Sequence, residues 1–207
     1  MTLLYKLTTS DFRTRPNMPG ETYWSEGFTL KTNGKGSLCG PGFIHAYTHP
    51  LLAVLLNPVH ADYQNPVLWE AEGEVIKSDK GLKVGCTKLT TIRRIPSPKI
   101  TQEQRIRFAI LCALEVCANV SFNRWASSWF SNKDRSASAA AYAARAAQTA
   151  HAARSAAYAA QSAAQITHAA HAATYAAHAA TYAAIQDRVL DLVGLAEEAC
   201  QIQEHKP

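Results

Sequence analysis

The feature that most constrains the fold is an alanine-rich tract near the end of the chain. Between residues 137 and 184, 27 of 48 residues are alanine, and neither glycine nor proline occurs. Alanine has the highest helix propensity, whereas glycine and proline disfavour helices most strongly. The tract is therefore predicted to be helical, and a single straight helix of this length would extend about 72 Å.

Alanines recur along this tract at intervals that are mostly three and four residues, so they form a seam along one helix face. Tyrosine, histidine and glutamine form a second stripe with the same rhythm, from Tyr158 to Tyr182. Each alanine buries little apolar surface, but small side chains let two helix backbones approach closely. We expect the seam either to assemble copies of the chain into a homo-oligomeric bundle or to fold back on the preceding domain. The alanines predicted to form the interface between copies are Ala153, Ala156, Ala160, Ala163, Ala170, Ala173, Ala177 and Ala180.

The sequence predicts two regions. Residues 1–134 are expected to form an α+β domain with a small mixed or antiparallel sheet, and residues 135–207 are expected to form an alanine-rich helical oligomerisation region. Alternating apolar and polar residues, bounded by turn-forming residues, are typical of strands. Such segments occur at 3–8, 23–31, 43–47, 67–76 and 82–95. Pro50 suits the first turn of a short helix that is predicted to reach Leu56.

A longer helix is predicted to begin at Thr101, because Thr101 and Gln104 have the spacing of a capping box. Apolar residues from Ile106 to Cys117 recur on one face, and we expect that face to pack on the sheet. An aromatic patch follows, which is either the junction between domain and tail or a platform that stacks a ligand. Its members are Phe122, Trp125, Trp129 and Phe130, of which Trp125 is the candidate ligand-binding residue.

Composition argues against several classes of protein. Residues 1–134 contain 16 Lys and Arg against 11 Asp and Glu, whereas residues 135–207 contain five of each sign. This mild basic bias lacks the clustered stripe of a nucleic-acid-binding surface, so nucleic acid is not an expected partner. The five cysteines are scattered without a C-x-x-C pair, which favours a reducing cytoplasmic setting over a disulfide framework. No run of 18 apolar residues occurs, so no membrane partner is expected.

Basic and histidine side chains supply the candidate ligand contacts in the first domain. Lys6, Arg93 and Arg94 could form an anion-binding cluster, although charged residues on a strand edge also serve to discourage aggregation. His45 follows a G-P-G-F turn and is the first candidate for ligand contact, with Tyr47 two residues later.

Metal binding and familiar enzyme chemistry are not predicted. Cys39, His45 and His49 have a Cys-x5-His-x3-His spacing that zinc could use with His60, but it matches no strong zinc-binding pattern. Hydrogen bonding by histidines in turns is the alternative. The phosphate-binding loop, nucleophile elbow and zinc-protease signatures are all missing from the sequence, so we predict no cofactor and no catalytic residue.

Residues 37–95 resemble an uncharacterised family from bacteriophages and bacteria. The segments that carry the likeness are CGPGFIHA at 39–46, LWEAEGEVI at 68–76 and SDK at 78–80. Members of that family have a C-x-x-G-[LF]-H-A element before a V-x-G-x-[IV]…D-D-K element, and often an alanine-rich tail. This chain departs by inserting Ile44 before His45 and by having one aspartate where the family has two. The resemblance implies a phage origin and action in the host cytoplasm, but no chemistry.

The order of elements is also similar to the ADP-ribosyltransferase-like fold, in which an opening strand and a middle region clamp NAD. From these likenesses we expect a non-catalytic, phage-encoded counter-defence protein that sequesters an ADP-ribose-like nucleotide signal or a host factor. One alternative is an ADP-ribosyltransferase-like enzyme acting on NAD, with Glu70, Glu72 and Glu74 as candidate carboxylates. A structural helical assembly protein is the other alternative.

Overall fold

The computed structural model describes residues 1–146, 158–159, 161–163, 169–184 and 189–201. The chain forms two compact units, an N-terminal unit (Met1–Lys99) and a C-terminal unit (Ile100–Pro207). This division lies earlier than the predicted one between residues 134 and 135. The reason is that the helices after residue 100 share a core with the alanine-rich helices. Together the elements form the predicted α+β class with an antiparallel sheet.

The N-terminal unit contains seven strands and one helix, all within residues that the structure describes. The strands are β1 (Thr2–Thr8), β2 (Arg13–Thr14), β3 (Thr22–Tyr23), β4 (Thr29–Lys31), β5 (Ile44–Ala46), β6 (Val67–Ser78) and β7 (Val84–Ile95), and the helix is α1 (Pro50–His60). The predicted strand at 23–31 is divided in two, because Gly27 at φ 74° and a Phe28 N–H to Ser25 O bond of 3.1 Å make a turn there. Helix α1 continues one turn beyond its predicted end and includes Pro58.

The larger sheet is built on the long β6–β7 hairpin, whose turn has Lys80 and Gly81 at positive φ. Strand order is β1-β6-β7-β4, and β5 also pairs with β7. An isolated antiparallel bridge between Tyr5 and Tyr47 then links the β5 end back to β1. Strands β1, β6, β7 and β5 therefore close on themselves around an apolar core. Its members are Leu4, Trp24, Ile44, Ala46, Trp69, Ala71, Val84, Cys86 and Leu89.

The C-terminal unit is helical wherever the structure assigns regular secondary structure. Its helices are α2 (Gln102–Leu114), α3 (Val120–Phe130), α4 (Ala137–Ala146), α5 (Ala169–Ala184) and α6 (Leu192–Cys200), and residues 158–159 and 161–163 are also helical. Asn119 and Asp191 cap α3 and α6 with their side-chain oxygens. None of the helices in the described part of the chain is long and apolar enough to cross a membrane.

Helix α2 packs its predicted apolar face into a core that it shares with the other helices of the C-terminal unit. Ile106, Ile110, Ala113 and Cys117 belong to one buried cluster made entirely of residues from the C-terminal unit. That cluster includes the aromatic side chains of α3 and alanines from α4 and α5. Small alanines leave room between helices, and the large side chains of α2 and α3 fill it.

The alanine-rich tract is not one straight rod, because its described parts lie against each other. The Tyr158 ring stacks on Tyr175, His178 and Tyr182 at centroid distances of 5.9, 5.2 and 5.3 Å. Buried Ser162 donates to the Ala172 carbonyl at 2.8 Å. The described residues 158–159 and 161–163 therefore run antiparallel to α5.

This folding back covers the part of the alanine seam that the structure describes. Ala163, Ala177 and Ala180 are buried within a single chain, so their surface is not open to a second copy. The side chains of the other predicted interface alanines lie outside the described residues. These are Ala153, Ala156, Ala160, Ala170 and Ala173.

The predicted capping box at the start of α2 is confirmed. Thr101 Oγ1 accepts from the Gln104 N–H at 3.2 Å, and Gln104 Oε1 accepts from the Thr101 N–H at 2.8 Å. We expect Thr101→Ala to lower the free energy of unfolding by about 1 kcal/mol, since it removes a hydrogen bond from the exposed helix end. Urea unfolding followed by far-ultraviolet circular dichroism measures this. Thr101→Ser, which keeps the acceptor, is the control; a loss as large as that of the alanine variant would contradict the capping role.

Candidate functional site

The N-terminal unit contains a cavity of about 850 Å³ beside the closed part of its sheet. Strand β1, strand β5, the β2–β3 region and the segment after α1 all contribute to its wall. The cationic lining residues are Lys6, Arg15 and Lys83, and the polar rings are His45, Tyr47, His60 and Tyr63. Asp62 is the single carboxylate among the lining residues of the described chain. A cavity of this size and charge suits an anionic small molecule.

Lys6 is the buried cation of this cavity. It shares a face of β1 with Leu4 and Thr8, where a charged residue interrupts an otherwise buried row. Its Nζ donates to His45 O at 2.8 Å and lies 5.3 Å from the centre of the Trp24 ring. The pKa of Lys6 is lowered to about 8, mainly by burial; Cys86 opposes this effect, and the positive charge of Arg15 makes a smaller contribution that lowers the pKa.

Arg15 and Lys83 bring two more cations to the same cavity. Arg15 adopts φ 52°, and its Nη2 donates to Gly40 O at 3.3 Å while its backbone N–H donates to Tyr63 Oη at 3.4 Å. Lys83 is 11% exposed, and its Nζ lies 3.8 Å from an Asp79 carboxylate oxygen. Within the described chain, neither Lys6 nor Arg15 forms an ion pair with a carboxylate. The cavity therefore has excess positive charge.

The His45 ring lies close enough to all three cations to be affected by their charge. Burial lowers the pKa of His45 most strongly, the hydrogen bond with the Leu38 carbonyl raises it, and the nearby charges of Lys6, Lys83 and Arg15 each lower it. Its Nε2 lies 2.6 Å from Leu38 O, and a carbonyl can only accept, so Nε2 carries the proton and donates. The imidazole is neutral at pH 7 and contributes Nδ1 as an acceptor.

His60 and Tyr47 form a buried pair on the same wall. Their rings stack at 5.9 Å, and Tyr47 Oη lies 3.2 Å from His60 Nδ1. Burial lowers the pKa of His60 to about 3, with smaller contributions from Lys83 and His45. Burial likewise raises the pKa of Tyr47. Both rings are therefore neutral over the physiological range.

Three of the predicted ligand-binding residues line this cavity and three do not. Lys6, His45 and Tyr47 are brought together. The Arg93 Nε donates to Glu70 Oε2 at 2.6 Å on the exposed sheet surface, so its charge is already paired. The Arg94 guanidinium lies 5.2 Å from the centre of the Phe12 ring.

Trp125 is buried in the helical core of the C-terminal unit, at 7% exposure. Neighbouring Phe122 and Trp129 are also buried there. The aromatic patch is therefore a core and does not offer an open stacking platform. The interior position follows from amphipathic α3, whose aromatic residues share one face.

Sequence reasoning missed Arg15, Lys83 and Tyr63 as members of the site. Arg15 lies in the loop between β2 and β3, directly before Pro16, and Lys83 follows the β6–β7 turn, so neither belongs to a periodic pattern. Positions in irregular loops carry no spacing signal that would place them near β1. The detectable signal was Lys6, a charge in a row of buried strand positions.

The candidate carboxylates do not line this cavity, and the candidate metal ligands Cys39, His45 and His60, which do, are not grouped around a common point. Glu70, Glu72 and Glu74 lie on β6 and none of them lines it. Among the residues that the structure describes, no group of three or more His, Cys, Asp or Glu side chains is arranged to hold a metal ion.

Replacement of Lys6 by methionine is expected to stabilise the protein at pH 7 by about 2 kcal/mol. Removing the buried charge recovers about 3 kcal/mol, because the pKa is about 8 in the folded state against 10.5 for an ordinary lysine, and the lost hydrogen bond costs about 1 kcal/mol. Between pH 8 and 10.5 the unfolded state binds more protons, so wild-type stability rises with pH across that window.

Urea unfolding at pH 7 and pH 10 measures this difference. The advantage of Lys6→Met should be full below pH 8 and should narrow as the pH rises towards 10.5. The prediction is contradicted if Lys6→Met is less stable than wild type at pH 7 and the difference in unfolding free energy does not change with pH. Other groups in the folded protein would then stabilise the charge of Lys6. Lys31→Met, at an exposed position of β4, is the control.

The cavity thus combines three cations, two neutral histidines and several aromatic rings in one wall. Such a set can neutralise phosphate charge and contact a planar group, without an evident catalytic carboxylate pair among its lining residues in the described chain. Comparisons of the chain with protein-family models, with curated proteins and with solved structures find no match.

Proposed function

We propose that this chain is a non-catalytic binding protein that holds a phosphate-bearing small molecule of nucleotide type in the cavity of its N-terminal unit. The observation that carries the proposal is the convergence of Lys6, Arg15 and Lys83 on one cavity, where Asp62 is the only acidic residue among the lining residues that the structure describes. The volume of about 850 Å³ lies within the range of small-molecule sites.

Charge balance supports an anionic ligand. A buried cation without a counter-charge destabilises a fold, because its loss of hydration is not offset. Lys6 shows this cost directly in its lowered pKa. An anion between Lys6 and Arg15 would replace the missing carboxylates and form charge-assisted hydrogen bonds. The unfavourable arrangement in the free protein is then an adaptation to binding.

The proposed biological role is counter-defence by a phage-encoded protein in the host cytoplasm. The motifs around 39–46 and 68–80 support this role by their resemblance to a phage family. The likeness to the ADP-ribosyltransferase-like fold, with Lys6 on the opening strand and β5 leading into α1, supports an ADP-ribose-like signal as the ligand. A host factor that presents the same phosphate chemistry is the second ligand class.

Retention of ligand tests the proposal. The purified protein is incubated with a panel of nucleotide signals that includes ADP-ribose, passed through a desalting column and heated to release bound molecules for chromatography. We expect one panel member to be recovered from wild type and lost from Lys6→Met, whose fold should be intact. Recovery of no panel member from wild type would reject nucleotide binding.

An ADP-ribosyltransferase-like enzyme acting on NAD is the alternative for the same cavity. It needs a carboxylate near the ligand, and Asp62 rather than Glu70, Glu72 or Glu74 lines the wall. NAD consumption by wild type that is abolished in Asp62→Asn would favour the enzyme. NAD consumption that persists both in Asp62→Asn and in a variant with all three glutamates replaced would exclude all four carboxylates as catalysts.

Assembly through the helical region is proposed as a separate property. Folding back already covers Ala163, Ala177 and Ala180, so contacts between copies would use other surfaces. The mass of the full chain in solution, measured by light scattering, distinguishes a homo-oligomer from a monomer. A monomeric mass across the micromolar range would reject the assembly role.

A further inference from the structure

We infer that the cavity binds a nucleoside diphosphate in one orientation, with the diphosphate at Lys6, Arg15 and Lys83 and the base on the Tyr63 ring. This inference rests on the proposed function and specifies the ligand class and its direction in the site. It follows from two independent features of the wall. One is its three cations, of which Lys6 and Arg15 have no carboxylate partner in the described chain; the other is which ring faces already have a partner.

The number of cations favours a diphosphate over a single phosphate. Lys6 and Arg15 have no carboxylate partner in the described chain, and Lys83 has one only at 3.8 Å. All three are close enough to the His45 ring to act on it electrostatically. Two adjacent phosphates present oxygens in several directions, so each cation can contact a different oxygen. One phosphate would leave part of this positive charge uncompensated.

A base can stack only on an aromatic ring whose face has no partner yet. Several rings of the wall already have a partner. Lys6 Nζ lies over Trp24 at 5.3 Å, Lys77 Nζ lies over Phe43 at 4.7 Å, and Tyr47 stacks on His60 at 5.9 Å. Tyr63 is half-buried and its hydroxyl accepts from the Arg15 N–H. Among the described residues, no ring or cation is stacked on the Tyr63 ring.

The link between Arg15 and Tyr63 fixes the orientation. Because the Arg15 backbone donates to Tyr63 Oη at 3.4 Å, the ring that can accept a base lies beside one of the phosphate-binding cations. Lys6 lies on β1 and bonds to β5, at the strand side of the cavity. The diphosphate would therefore lie towards the strands, and the base towards the segment that follows α1. A stacking contact accepts any base, so selectivity should depend on the phosphates.

Calorimetric titration at pH 7 tests the phosphate part. The ligands are adenosine, AMP, ADP, GDP, UDP, ADP-ribose and inorganic pyrophosphate, each titrated into wild type, Arg15→Gln, Lys83→Gln and the exposed-site control Lys31→Gln. We expect the diphosphates to bind about tenfold more tightly than AMP, and each cavity variant to lose about tenfold for diphosphates, as for a charge-assisted hydrogen bond. The control should match wild type.

The same titration tests the base part through Tyr63. Tyr63→Leu should weaken ADP binding about tenfold and leave pyrophosphate binding unchanged, whereas Tyr63→Phe should retain ADP affinity because the ring is kept. Equal affinity for AMP and ADP, or equal weakening of ADP and pyrophosphate by Tyr63→Leu, would overturn the inference while nucleotide binding still stood. Failure of every nucleotide to bind wild type would instead reject the proposed function itself. Thermal unfolding of each variant verifies that it is folded.

Discussion

Replacement of Trp129 by alanine is expected to lower the free energy of unfolding of the C-terminal unit by about 3–5 kcal/mol. Trp129 is 1% exposed, and its ring packs edge-on against Phe130 at 5.5 Å. The Arg135 guanidinium lies 4.4 Å from the ring centre, and its Nε donates to the Trp129 carbonyl at 3.1 Å. Truncation leaves a large cavity among alanines, whose short side chains cannot extend to fill it.

Urea unfolding followed at 222 nm measures this loss of helix. Tyr142→Ala is the matched control, since that aromatic residue of α4 is 66% exposed and its removal should change stability by no more than about 0.5 kcal/mol. Equal and small effects of the two variants would mean that Trp129 does not organise the helical core. A large effect of Tyr142→Ala alone would point to an interface that covers its exposed ring.

Acid is expected to destabilise the N-terminal unit through His60, on the order of 4 kcal/mol between pH 6.5 and 3. The folded-state pKa of about 3 lies below the ordinary histidine value of 6.5, so the unfolded state binds the extra proton across that window. Stability is therefore fully present above pH 6.5 and is lost as the pH falls. The physical cause is first burial, then the nearby positive charge of Lys83.

The variant His60→Asn removes this titration while keeping a polar group near Tyr47 Oη. Its unfolding free energy, measured by urea titration from pH 7 to pH 4, should fall less steeply than that of wild type. His171→Asn, at an exposed histidine of α5, should follow the wild-type curve. Parallel slopes for wild type and His60→Asn would show that the imidazole gains a proton without cost in the folded state.

Much of the local structure was predictable because it depends on neighbouring residues. Alternation along β1 and along the β6–β7 hairpin, the Pro50 helix start and the Thr101 capping box are set within a few residues of each position. The broken strand at 23–31 was missed, because a single Gly27 turn overrides a pattern that otherwise alternates. In the site, Lys6 was detectable as a charge in a buried row, whereas Arg15 reaches the cavity through a loop without any period.

Sequence alone determined the helical character of the alanine tract's described parts, since propensity acts residue by residue. It also determined that alanine would form a tightly packing seam. It could not determine what covers the seam, because a three- to four-residue spacing suits a second copy and a fold-back equally well. In the described residues the tertiary structure shows the fold-back. Tyr158 stacks on α5, and Trp129 and its neighbours fill the space between the helices. Large side chains distant in sequence supply the buried volume that alanines lack, and that contact exists only once the chain has folded.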